Sequence, residues 1–194
     1  MPSRRSHVRT ERDAREPAVN IWTASDVRAI LIDNGWLDAA AVSEADSSSS
    51  PAESWMTEAA AWLGPHAANR AALVELLGLV FRYDAREIIA SPEAHAVMLR
   101  EGARDAIRAL GLEVLVGPPV DSARFNEIFS AVRQRSGTSG RVLFYSIRLA
   151  LAGRVGEGEL DRVILLLATA AATPGFASAK TARERMIEFC AALD

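Results

Sequence analysis

Apolar residues in this chain recur three and four apart, and no stretch shows a convincing in-out alternation of period two. Leu73, Leu76, Leu77, Val80 and Phe81 fall at i, i+3, i+4, i+7 and i+8, the stripe of a helix resting on a core. Phe125, Ile128, Phe129 and Val132 repeat it, and Val27, Ile30 and Leu31 carry a shorter form. From Arg141 to Ala152 the sequence is apolar nearly all round, as is the run from Leu160 to Ala172. Helices of that kind are enclosed by protein. A half-buried strand needs the missing alternation. The pattern therefore predicts an all-α fold, a compact helical bundle in two halves.

Punctuation sets the expected limits. Helices are predicted near 66–81, 92–110, 122–135, 141–152, 160–172 and 181–193, preceded by shorter ones over 23–33 and 52–63. Thr23 or Ser25 suits the first cap, and Ser91-Pro92-Glu93 combines a capping hydroxyl, an N1 proline and an acid at the positive end of the dipole. Gly111 is read as a stop, and residues 111–119 as an apolar connection between the halves. The organisation expected is a disordered tail over 1–19, N-terminal helices with a Ser-rich linker (43–51) over 20–63, a first helical half over 64–118 and a second over 119–194. The tail has little to bury.

Composition narrows the function classes. No run approaches the ~18 apolar residues of a membrane span, and the arginine-bearing N-terminus lacks the apolar segment of a secretory signal. A cytoplasmic protein is expected. The single cysteine, Cys190, excludes an internal disulfide and a cysteine-based zinc site. His7, His66 and His95 have no partner at metal-ligand spacing, there is no P-loop, and Gly156-Glu157-Gly158 reads as a turn. No cofactor, no metal and no catalytic constellation are expected, so the chain is not an enzyme by itself.

Charge is unevenly spread. The net charge is −3, but residues 18–63 hold seven acids against Arg28 alone, and Ile128 to Gly156 holds Arg133, Arg135, Arg141, Arg148 and Arg154 with no acid. Arg100, Arg104 and Arg108 follow at i, i+4 and i+8, which on one helix makes one stripe, either a solvated face or a row of phosphate ligands. Arg148 interrupts an apolar helix. An unpaired buried guanidinium is costly, so it either pairs with an acid from another helix or projects into a groove that receives an anion or a base edge. The acid-free stretch favours the groove, bordered by Arg141 or Arg154 and the loop 154–159.

The segment from Gly140 to Arg154 (GRVLFYSIRLALAGR), followed by Gly158-Glu159-Leu160, resembles the C-terminal signature of glutamyl-tRNA synthetases, which reads roughly G-K-x-L-F-x-P-L-R-x-A-L-T-G and then G-P-E-L. Arg70 to Leu76 is similar to that family's R-x-x-T-L-x-E-L helix, Phe81 to Asp84 to the aromatic-acidic stretch after it, and Thr181 to Leu193 to its terminal helix. The match spans residues 64–194. The resemblance implies the α-helical anticodon-binding domain, with Arg148 as the arginine that helps read the anticodon, Gly153 as the glycine and Leu160 as the apolar position after the loop. Ser146 replaces proline, Ala152 replaces threonine, and Glu157-Gly158 stands where Gly-Pro is usual. The HIGH and KMSKS signatures of the catalytic domain are absent, so the chain cannot aminoacylate alone.

These readings converge on a non-catalytic tRNA- or RNA-binding module, free-standing and able to act in trans with a separate partner. Its expected contacts are Arg148, Arg154, Leu160, Arg141, Arg133 and Arg135. The alternative is a protein-interaction or regulatory module that kept the fold and binds through the acidic N-terminal third.

Overall fold

The computed structural model describes residues 21–38 and 50–193. Ten α-helices lie in them: α1 Ala24–Asp33, α2 Pro51–Leu63, α3 Arg70–Phe81, α4 Ala85–Ala90, α5 Pro92–Met98, α6 Ala103–Val116, α7 Ser122–Ser136, α8 Gly140–Ala152, α9 Glu159–Ala172 and α10 Ala182–Leu193. No strand is present among the described residues. The one extended contact is an isolated bridge between Leu37 and Phe176. The all-α expectation holds.

Side-chain caps set most of the helix starts. Thr23 and Asp26 form a capping box at α1, and Ser50, Asn69, Asp84, Ser91 and Asp121 accept from the first-turn amides of α2, α3, α4, α5 and α7. Each satisfies an amide that the helix itself cannot. Pro51 and Pro92 occupy first-turn positions, where the missing N–H costs nothing.

One continuous apolar core runs through all ten helices. The α8 and α9 pair lies at its centre, α9 packing on α2, α3 and α8, and α6 packing on α7, α8 and α10. Four rings tie the N-terminal helices to the rest. Trp36 stacks on Phe81 at 5.4 Å, and Trp55 meets Phe81 and Phe176 edge-on at 5.7 and 5.0 Å. The Trp55 indole N–H donates to the Leu166 carbonyl at 3.2 Å. Backbone bonds from Asp38 to Gly175 and from Ala177 to Trp36 add to the join.

Several expected boundaries change. The helix expected over 92–110 is two: α5 ends at Met98, and α6 starts after Gly102, whose φ of +81° turns the chain. Gly111 does not stop a helix. It is buried inside α6, facing Cys190 and Met186 of α10. The connection expected over 111–119 is in its first half the last turns of α6. The helix expected to start at 66 begins at Arg70, after a 3-10 turn over Gly64–His66. Ser50 and Pro51, assigned to the linker, are the cap and first residue of α2. The predicted tail over 1–19 and the linker's remainder, 43–49, lie outside the described residues.

Candidate nucleic-acid interface

Arg148 does not open into a groove. It is 6 % exposed. Its Nε and Nη2 donate to the two carboxylate oxygens of Asp161 at 2.7 Å each, and Nη1 donates to the Gly156 carbonyl at 2.8 Å. Asp161 sits in the first turn of α9, thirteen residues on, just beyond the acid-free stretch. Burial works against the charge on Arg148, but the Asp161 bonds, helped by Glu157 and Glu159, outweigh it and hold the guanidinium above its ordinary pKa. The fork clamps the 153–158 loop between α8 and α9. The expected groove is therefore corrected to a closed ion pair.

The other expected contacts are not gathered in one place. Leu160 is buried in the core beneath that loop, so its side chain presents no surface. Arg135 pairs with Glu113 at 3.2 Å, and Glu113 also holds Arg124. Arg154, at the far end of α8, lies 3.6 Å from Glu75 of α3. Arg133 and Arg141 are exposed at the end where α7 turns into α8 and make no ion pair among the described residues.

Between these two arginines lies a surface of aromatic rings. On α8, Arg141, Phe144, Tyr145 and Arg148 fall at i, i+3, i+4 and i+7 and share one face. Phe144 is 37 % exposed. It packs on Phe129 of α7 at 4.4 Å, which is followed by Phe125 at 6.2 Å. The Arg148 guanidinium lies 4.9 Å from the Phe144 centroid and backs that ring from within. Arg133 stands one turn beyond Phe129. On the other side, Arg100 lies 5.5 Å from the Tyr145 ring centroid. The break at Gly102 thus splits the expected arginine stripe, with Arg100 facing α8 while Arg104 and Arg108 stay on α6.

The resulting face carries Arg100, Arg133 and Arg141 with Phe129, Phe144 and Tyr145. Glu101 and Asp105 line a hollow by Val142 and the Ser136–Ser139 turn, away from Phe144 but beside the Tyr145 edge of this face, since Val142 and Tyr145 are i and i+3 on α8. In the sequence Phe144 and Tyr145 belong to a helix apolar nearly all round, which predicts enclosure. Their position three and four residues after Arg141, in a stretch without acids, is the signal available.

A second buried arginine had no signal in the sequence. Arg185 of α10 is fully enclosed and donates to the carbonyls of Lys180, Leu151, Leu79 and Val80 at 2.7–3.1 Å. Its guanidinium lies 4.6 Å from the Tyr83 ring centroid. Burial pushes its pKa down to about 10, against the pull of Tyr83 and Glu188. It joins the carbonyl ends of α3 and α8, where a positive charge complements the helix dipoles.

Three acids of the N-terminal third are engaged among the described residues. Asp26 caps α1, Glu53 pairs with Arg28, and Asp33 with Arg70. Among the described residues there is no group of three or more His, Cys, Asp or Glu that could hold a metal, and no helix is long and apolar enough to cross a membrane.

The architecture is that of an all-α bundle with an arginine-aromatic face. No family model, curated protein or solved structure matches the chain.

Proposed function

We propose that the chain is a non-catalytic RNA-binding module that takes unpaired bases of a structured RNA, such as an anticodon-type loop, on the α7–α8 face. The observation that carries this is the exposed Phe144 ring, packed at a tilt on Phe129, with Arg141 one turn before Phe144 and Arg133 one turn after Phe129, neither paired with an acid among the described residues. Unstacked bases bind on aromatic side chains and arginine planes, and the phosphates between them need cations without carboxylate partners. The resemblance of the Gly140–Leu160 segment to a tRNA-reading helix supports the same reading, with the contacts moved from Arg148 to its exposed neighbours. Arg148 is a positioning residue, since it stiffens the helix and loop beneath the face.

Fluorescence anisotropy with a labelled RNA stem-loop tests this. Wild type binds at low salt, and affinity falls as salt rises. Phe144→Ala weakens binding by about 1–3 kcal/mol, the range of one base-aromatic stack. Arg141→Ala lowers the salt slope by about one. Absence of binding even at low salt, or binding untouched by both changes, overturns the assignment.

A further inference from the structure

The α6–α10 seam is not used by the RNA-binding reading. The two helices run antiparallel and pack where Gly111 faces Met186 and Cys190. Beside this contact opens a groove of about 220 Å³ lined by Met98, Arg104, Ile107, Arg108, Cys190 and Leu193. Leu112, one turn beyond Arg108, and Ile187, one turn before Cys190, are both more than half exposed. Leu99, before α6, is 87 % exposed. Single exposed leucines are ordinary on a protein surface. Here Leu112 and Ile187 are one-turn neighbours of the groove residues Arg108 and Cys190, so two helices supply them.

Charge sets the kind of occupant. Arg104 is exposed and makes no ion pair among the described residues. Arg108 meets only Asp105, at 3.3 Å, with both side chains largely in water, an arrangement that contributes little. Arg183 lies on the same side of α10 as Ile187. Among the described residues no acid lines the groove. Its floor is apolar and its rim is cationic. From Arg104 to Leu115 the seam runs about 17 Å, three helical turns at 1.5 Å per residue.

We propose that this seam is a docking site for an acidic amphipathic helix of a partner protein. Apolar side chains of the partner at i, i+3 or i+4, and i+7 enter between α6 and α10, and its flanking carboxylates meet Arg104 and Arg108. This is helix-in-groove recognition, with charge selecting partner and register. The arginines that sequence analysis set apart thus divide their work, Arg100 with α8 and Arg104 and Arg108 here.

The test uses the full chain and three fluorescein-labelled helical peptides of about 14 residues. One carries leucine on one face and glutamate on its flanks. One has the same composition scrambled, and one has lysine in place of glutamate. The proposal expects only the first to bind. The double variant Arg104→Glu/Arg108→Glu weakens it by about tenfold or more, and Ile187→Asp weakens it independently. Phe144→Ala and Arg141→Ala leave it unchanged, so failure here is separable from failure of RNA binding. Circular dichroism confirms that each variant is folded, and the Arg104/Arg108 pair, fully on the surface, serves if Ile187→Asp is not. Equal binding of patterned and scrambled peptides overturns the proposal, as does binding indifferent to Arg104 and Arg108. Self-association abolished by Ile187→Asp overturns it too, since a second copy then covers the face.

Discussion

Two arginines inside one small bundle are held in opposite ways, and the difference decides what each substitution does. Arg148 answers a carboxylate, whereas Arg185 answers only carbonyls. Removing one partner of a buried pair leaves the other charge uncompensated, at about 3–5 kcal/mol. Arg148 is nearly sealed, while the Asp161 side chain is 24 % exposed. Asp161 can recover water and Arg148 cannot. Asp161→Ala is therefore expected to destabilise by about 3 kcal/mol or more, and Arg148→Met by clearly less. Urea unfolding of the two variants orders them, and the reverse order removes the assignment of Arg148 as the buried member.

At the scale of elements, the α5–α6 break is the feature that rearranges the candidate site. The apolar stripe of 92–110 is nearly continuous, so sequence reading runs one helix through it. Gly102 is the cause, because its φ is +81° and a side chain there would also meet the Thr138 hydroxyl at 2.6 Å. Gly137, with φ +66°, has open space around it. Left-handed backbone alone costs a residue with a side chain roughly 1–2 kcal/mol. Gly137→Ala is expected to show about that loss, and Gly102→Ala more, because Thr138 must also move. Equal losses by thermal or denaturant unfolding would sink the steric account.

Helix caps also make stability depend on pH. Thr181 bonds hold Glu184 below its ordinary value of 4.5. For Glu188, burial raises the pKa, but Lys180 and the Ala85 amide outweigh that and hold it low. Folded pKa values thus lie below unfolded ones. Above about 4.5 both states are ionised and the contribution is complete. As pH falls, the unfolded chain takes protons first, and stability drops until the folded carboxylates also protonate. Denaturant midpoints should hold steady from neutrality to about pH 5 and fall below it. Glu184→Gln should flatten that fall, and an unchanged acid slope would deny the Thr181–Glu184 hydrogen bonds their part.

Considered as a whole molecule, the class was legible and the site only in part. Helical stripes at Leu73–Phe81 and Phe125–Val132, with capping residues before them, fix elements by local rules that need no partner. The Arg148–Asp161 clamp joins α8 to the next helix, and the acid-free count stopped short of it. Arg185 is held by carbonyls of three separate segments, which no side-chain pattern announces. Gly111 shows the same gap, since a glycine that reads as a helix stop lies inside α6, held there by packing on α10.

The same long-range contacts decide whether the chain unfolds as one body. All four tryptophans, Trp22, Trp36, Trp55 and Trp62, precede residue 64, so their fluorescence reports the N-terminal helices, while ellipticity at 222 nm reports every helix. Trp36 and Trp55 reach across to Phe81, Phe176 and the Leu166 carbonyl. If those contacts couple the regions, the two probes must trace one coincident transition in urea, the signature of two-state unfolding. Trp36→Ala removes the stacked ring and should cost about 3–5 kcal/mol, as buried aromatic truncations do. Its effect should shift both probes together, because the cavity opens at the join. A fluorescence transition that precedes the loss of ellipticity in the wild type would mean that α1 and α2 dock on an independently stable body. Trp36→Ala would then move the fluorescence transition alone.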